Sequence, residues 1–287
     1  MRVGVVQIRG RAGASEGEAR DRLRALSADR IADLFSRGAR LVVLPECALH
    51  DYFPRTVEEV GAFAETLPGP TVRAWQSVAR AHGGYVVGGL IERDGDDLFN
   101  TAVVVGPQGL IGRYRKIHRF GWERRWLKAG EAPLLVDIPS LGLRLGVLVC
   151  YDLRFPEAVR ALAFAGMDVL AVPTAWTSIG KRTLWDRGGY CPQDHVAIAH
   201  AYQNRVAVVC ADRVGAEAGV RFLGASIAVA AGGEVALGPL AGEEEALAVV
   251  DLDPAQSRDK TVADAGDLWA DRRPTYAVER VRIEEEG

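Results

Sequence analysis

The feature that most constrains this chain is an order of segments that occurs twice. Residues 2–8 (RVGVVQI) and 40–45 (RLVVLP) read as strands flanking a helix at about 18–37. A second helix (TVRAWQSVARAH), opened by Pro70 and closed by Gly83 and Gly84, leads to strands at 85–91, 98–105 and 110–116. The same order returns after residue 143. A strand at 143–149 (LRLGVLV) precedes a helix opened by Pro156 and closed by Gly166, then come a strand at 168–173 and a helix at 193–205. Strands at 206–211, 222–230 and 234–237 complete the series, with Gly232 and Gly233 as the last turn. Each half reads β-α-β-α-β-β-β. Helices on one face of a half-sheet leave its other face apolar, and two such halves bury those faces together. The expected architecture is an α/β four-layer α-β-β-α sandwich with an internal pseudo-two-fold repeat. It is expected as one domain over 1–287, with 254–287 a C-terminal extension packing on the body or on a partner subunit.

Smaller signals refine that layout. Ser15 and Glu18 stand in capping-box spacing before the first helix, and Gly38 stands where it stops. The charge runs ERDGDD at 92–97 and GEEE at 242–245 read as solvated turns. Lys and Arg number 35 against 38 Asp and Glu, a net charge of −3, which gives no field to attract nucleic acid or an anionic membrane. No apolar run reaches the roughly 20 residues of a membrane span. The opening MRVGVVQIRGR does not read as a signal peptide, and four cysteines in 287 residues do not suggest a disulfide scaffold. The expected setting is cytoplasmic, with a small molecule as partner rather than nucleic acid or membrane.

Ligands of parallel βαβ sheets gather outside the carboxyl ends of strands. RLVVLP runs into Glu46, LIGRYR into Lys116 and LRLGVLV into Cys150. Taken singly, Cys150 reads as a packing residue, Glu46 as a loop carboxylate and Lys116 as surface. Together a carboxylate, an ammonium and a thiol make a base, an electrophile stabiliser and a nucleophile. A papain-like pair of Cys150 with His118 is the rival mechanism, but it leaves Glu46 and Lys116 without a task. Cys191, His195 and His200 do not share a helix face, and Cys47 with His50 is an isolated pair, so both groups read as structural and no metal is expected.

GVLVCYDLRFPEAVRALAFAGMDVLAVP closely resembles the nucleophile segment of the nitrilase superfamily, the carbon–nitrogen hydrolases. LVVLPECAL resembles that family's glutamate strand, GRYRKIH its lysine strand, and ERRWLKAGE the segment of its second glutamate, here Glu123. AYQNRVAVVCADRVG, FLGASIAV and DRRPTY also resemble family segments, so the resemblance covers nearly the whole chain. It implies the same sandwich and a thiol hydrolase without metal or organic cofactor. Glu46 would take the Cys150 proton, Lys116 and the Tyr151 N–H would hold the oxyanion, and Glu123 would orient the substrate amine or support Glu46. A cysteine thioester, ammonia and a carboxylic acid follow. It also implies a homo-oligomer, a dimer or higher.

The CYDLRFPE form is similar to that of the family's small-acid amidases, which implies a small aliphatic, ω-amide-like substrate. N-carbamoyl amino acids and nitriles are the alternatives. Trp176 reads either as a wall of the acyl pocket or as a core aromatic, and Arg182 or Arg187 as a partner of a substrate carboxylate or as surface. A catalytically silent binding or assembly subunit is the non-enzymatic alternative, and the four chemical types at Glu46, Lys116, Glu123 and Cys150 speak against it.

Overall fold

A computed structural model describes residues 1–9, 17–178, 185–240 and 242–273. The first half contains β1 (Arg2–Arg9), α1 (Gly17–Ser36), β2 (Leu41–Val43), α2 (Val57–Phe63), α3 (Pro70–His82), β3 (Tyr85–Asp94), β4 (Asp97–Gly106) and β5 (Gly109–Arg115). After α4 (Glu123–Trp126) come β6 (Leu134–Ile138), β7 (Leu143–Val147), α5 (Pro156–Phe164), β8 (Val169–Pro173), α6 (Pro192–Asn204) and β9 (Ala207–Ala211). Short strands β10 (Arg213–Val214), β11 (Ala216–Glu217) and β12 (Val220–Arg221) precede β13 (Ile227–Val229), β14 (Val235–Leu237) and β15 (Ala246–Asp251). The expected strand at 222–230 is thus confined to Ile227–Val229, because residues 213–221 form a separate strand and hairpin that hold Phe222–Ser226 out of the ladder. Ser15 lies outside the described residues.

The repeat extends further than the sequence reading foresaw. The first sheet runs β15-β1-β2-β3-β4-β5, with β10 also paired in parallel with the last residues of β1, and the second runs β6-β7-β8-β9-β13-β14. In each, the leading strand has an antiparallel neighbour on one side and a parallel one on the other, β15 and β2 for β1, β6 and β8 for β7. The last strands of each sheet close as antiparallel hairpins.

Side-chain alternation makes the layers. Val3, Val5, Leu41, Val43, Val87 and Val104 join a core with Val136, Leu145 and Val147 of the second sheet. Their neighbours Val6, Val42, Val86 and Val103 pack with Ile31 and Leu34 of α1 and Val72 and Trp75 of α3. Period-two strands buried on both faces need apolar residues at nearly every position, which is why they read as unbroken runs. α3 carries its expected punctuation, with Pro70 as first residue and Gly83 left-handed (φ 66°) as its cap. The indole of Trp75 is fully buried, and its Nε1–H donates to Ser27 Oγ at 2.9 Å, joining α3 to α1. α5 and α6 pack on each other, α6 also against β9 and β13.

One charge run departs from expectation. Glu92 of ERDGDD sits inside β3, fully buried, and accepts from Thr101 Oγ1 (2.8 Å), Arg113 (2.5 Å) and Arg115 (2.6 and 3.0 Å). The cross-strand arginines of β5 supply the compensation that a buried carboxylate requires. Past Asp253 the chain packs on the body: Arg258 pairs with the buried Asp168 (3.0 Å), and Lys260 Nζ donates to the carbonyls of Asn204 and Arg205 (2.9 and 2.8 Å). A hairpin of β16 (Thr261–Ala263) and β17 (Gly266–Asp267) follows, and Trp269 packs against Phe164 of α5.

Candidate active site

Three loops of the first half and one turn of the second meet at one end of the sandwich. The chain leaves β2 through Pro45 and turns at Cys47, whose φ of 50° is left-handed. The turn lies so close to β3 that a Cβ on Gly89 would stand 2.7 Å from Glu46 Cα and 2.8 Å from Cys47 N. Glycine is required there by that approach. The Glu46 N–H donates to Thr174 O past the end of β8 (3.2 Å), tying the two sheets together. Lys116 follows β5, with its N–H on Asn100 O at 2.8 Å, and Glu123 opens α4.

Glu46, Lys116 and Glu123 are completely buried. Lys116 Nζ lies 2.7 Å from Glu46 Oε1 and 2.9 Å from Glu123 Oε1. Glu123 Oε2 accepts from the Phe120 N–H at 2.7 Å. Burial opposes the ammonium of Lys116, but Glu123 and Glu46 outweigh it and hold its pKa well above the usual lysine value. Burial raises Glu123, with Lys116 opposing and Glu46 adding to the rise. Such a group survives burial only because its charges face one another.

Cys150 begins a tight turn directly after the second-sheet strand, with φ 47°. Asp152 shapes that turn. Its Oδ2 accepts from the Val149 N–H (3.0 Å) and the Tyr114 hydroxyl (2.7 Å), and its Oδ1 accepts from the His118 N–H (2.9 Å). One buried carboxylate therefore fastens the Cys150 turn to the strand and loop that carry Lys116. Burial pushes the Cys150 thiol well above its ordinary pKa, the Glu46 carboxylate adds to that, and Lys116 and the Ala175 backbone oppose it. The environment of Cys150 therefore favours the thiol over the thiolate.

A cavity of about 410 Å3 opens on Cys150. Tyr52, Phe120, Tyr151, Trp176 and Val196 give it an apolar wall, and the exposed Arg154 stands in its lining. Glu46, Lys116 and Glu123 do not line it, so Cys150 is the member of the group that faces the cavity. Trp176 lines the cavity while only 5% exposed, and its N–H donates to the buried Asp212 at 2.8 Å. Asp212 itself is pushed up to about 7 by burial, against the pull of its backbone donors.

His118 is engaged elsewhere than a papain-like pair requires. Its Nδ1 lies 2.8 Å from Asp152 Oδ1 and its ring stacks on Phe155 with centroids 3.5 Å apart. Arg187 is exposed and does not line the cavity, and Arg182 lies outside the described residues.

Sequence reasoning missed four participants. Asn100 donates through Nδ2 to both Glu46 Oε1 and Glu123 Oε1, at 2.7 Å each. Asp152 shapes the Cys150 turn, and its place two residues after Cys150 was the available signal. Arg154 was visible in the same motif. Arg213 is fully buried, donates to the carbonyls of Glu46, Cys47 and His50, and pairs with Glu217, which in turn accepts from the Tyr52 N–H at 2.6 Å. It clamps the loop that carries Glu46 and the cavity residue Tyr52. Nothing in the spacing of ADRVG announces such a contact.

Known proteins share this arrangement of chain. The family model described as "Carbon-nitrogen hydrolase" matches residues 2–260. A protein of Pyrococcus abyssi named "Nitrilase" is 39% identical over 248 residues, 86% of this chain and 89% of the relative. Human "Omega-amidase NIT2" is 33% identical over 167 residues, 54% of this chain and 59% of the relative. A solved amidase of Nesterenkonia sp. AN1, in which acrylamide has added to the active-site cysteine, superposes with a TM-score of 0.71 at 26% identity, covering 91% of this chain and 96% of that one. The chain belongs to the carbon–nitrogen hydrolases of the nitrilase superfamily and is an amidase-type hydrolase that works through an active-site cysteine.

Proposed function

We propose that Cys150 is that cysteine and that it hydrolyses the amide of a small acid through a thioester. The observation that carries the reading is the buried group of Glu46, Lys116 and Glu123 set against a protonated thiol that faces a cavity. Glu46 takes the Cys150 proton as sulfur attacks the amide carbon. Lys116 commits two of its three N–H bonds to carboxylates, and the third remains for the oxyanion together with the Tyr151 N–H. Protonated Glu46 then delivers its proton to the departing nitrogen, the C–N bond breaks and ammonia leaves. Water, deprotonated by Glu46, attacks the thioester, releases the acid and returns the thiol. Glu123 fixes Lys116, to which it is bound at 2.9 Å, and so supports the base and the oxyanion site from behind.

The exposed Arg154 guanidinium, with no ion-pair partner among the described residues, stands in a cavity whose lining is largely apolar apart from Thr177, Gln193 and His200, and this supports an acyl chain that ends in a carboxylate, as in an ω-amide. The same cation serves the carboxylate of an N-carbamoyl amino acid, which is the second reading. Tyr151 and Trp176 would flank the acyl chain. The reading keeps a single catalytic domain over the whole chain in a cytoplasmic setting, acting as the homo-oligomer that the family resemblance implies.

Ammonia release from a panel of aliphatic amides, ω-amides, N-carbamoyl amino acids and nitriles tests the proposal. Turnover is expected on ω-amides and lost by at least about 10⁴-fold in Cys150→Ala. Cys210→Ala, buried in β9, is expected to keep kcat and lose only stability. Turnover surviving in Cys150→Ala would overturn it.

A further inference from the structure

We propose that Asn100 is a positioning residue for the base: it holds Glu46 and Glu123 side by side as a neutral donor that leaves the Glu46 charge free to take the thiol proton. The inference rests on the assignment of Glu46 as the base.

Two carboxylates and one ammonium are buried together, with no exposed surface on any of the three side chains. Glu46 Oε1 and Glu123 Oε1 each accept the same two donors, Lys116 Nζ and Asn100 Nδ2, so four groups form a closed ring. Both hydrogens of the Asn100 amide are thereby committed, one to each carboxylate. A second lysine there would give the hydrogen bonds but would also neutralise the base. An apolar residue would leave two like charges divided by a single ammonium, and one carboxylate would then take up a proton. Asparagine combines two donors, no charge and, at this position, the length to reach both oxygens at 2.7 Å.

Two further observations point the same way. Asn100 and Lys116 are joined by a backbone hydrogen bond at the end of the β4–β5 ladder, so the sheet itself presents both donors to the carboxylates. The other end of the Asn100 amide is left unsatisfied: Oδ1 is buried and accepts from no described residue. A buried acceptor without a partner is costly, and the opposite amide orientation would aim that oxygen at two carboxylates. The side chain is fixed by its service to Glu46 and Glu123 rather than by its own satisfaction.

Donation to the charged form of a carboxylate lowers its pKa, so removing the donor raises it. In Asn100→Leu the acid limb of kcat/KM against pH is expected to move upward. kcat at neutral pH falls while KM changes by less than about threefold. Asn100→Asp keeps the size and adds a third acceptor, and is expected to move the limb further. The rate of Cys150 alkylation by iodoacetamide against pH, read by mass spectrometry, should shift in parallel. That readout needs no substrate, so it stands even where the choice of amide fails, and the Cys150→Ala control reports separately on the nucleophile. Should Asn100→Leu not fold, Asn100→Asp carries the test. A folded variant with wild-type melting whose alkylation limb and acid limb stay in place would overturn the proposal.

Discussion

β1 and β7 occupy the same place in the two halves of this molecule. Each leads its sheet between an antiparallel and a parallel neighbour, and each is followed by a helix on the outer face. At its carboxyl end β1 pairs in parallel with β10 and runs on to Arg9, an exposed residue whose N–H meets Glu245 and whose guanidinium meets the Glu243 carbonyl. At the equivalent end of β7 the chain kinks at Cys150, with Asp152 gripping the turn and a buried charged group beside the sulfur. Topology offers a strand end twice, and among the described residues the buried charged group stands beside the second. What distinguishes the two ends is a left-handed turn, one shaping carboxylate and three charges brought over from the other half.

That contrast is sharpest at Lys116. Lys116→Met removes the only ammonium between two buried carboxylates, with an expected loss of about 3–5 kcal/mol in stability and at least about 10²-fold in kcat, read by thermal melting and ammonia release. A melting point within a degree of wild type would show that the charges are not coupled as their geometry requires.

Asp152→Asn tests whether the turn itself makes β7 different. Asparagine cannot accept from Val149, Tyr114 and His118 at once, so about 1–3 kcal/mol is expected to be lost. A roughly tenfold to hundredfold drop in kcat follows as the sulfur shifts. Wild-type kcat in a destabilised variant would mean that the turn is held by packing alone.

Arg154→Ala addresses the cavity end of the same turn. KM for an ω-amide is expected to rise roughly tenfold, with kcat and the KM of a neutral aliphatic amide unchanged. Equal losses on acidic and neutral amides would move Arg154 from recognition to structure. The smallest effect belongs to β1: Arg9→Ala should leave kcat unchanged and shift Tm by less than about 2 °C. A catalytic defect there would dissolve the distinction between the two ends.

The legible parts of this protein are those governed by local periodicity. Unbroken apolar runs marked β1–β3 and β7–β9, since a strand buried on both faces has no polar position to offer. Pro70, Gly83, Pro156 and Gly166 marked where helices begin and end, because their backbones permit little else. Strand β6 and strand β15 escaped notice because each is a short edge strand defined by its partner. Glu92 looked like a surface charge because its neighbours in sequence are loop residues, while the arginines that bury it come from β5.

Sequence by itself determined the twice-repeated order, the two-faced strands and the residues that stand at their ends, since these follow from spacing along one chain. Tertiary structure alone decided which of those ends face one another. Lys116 and Glu46 are 70 residues apart, and the Arg213 clamp on Cys47 spans 166. Whether such groups form an ion pair or remain separate depends on two sheets closing face to face, and only the packed interior, by excluding water, makes their charges answer to each other.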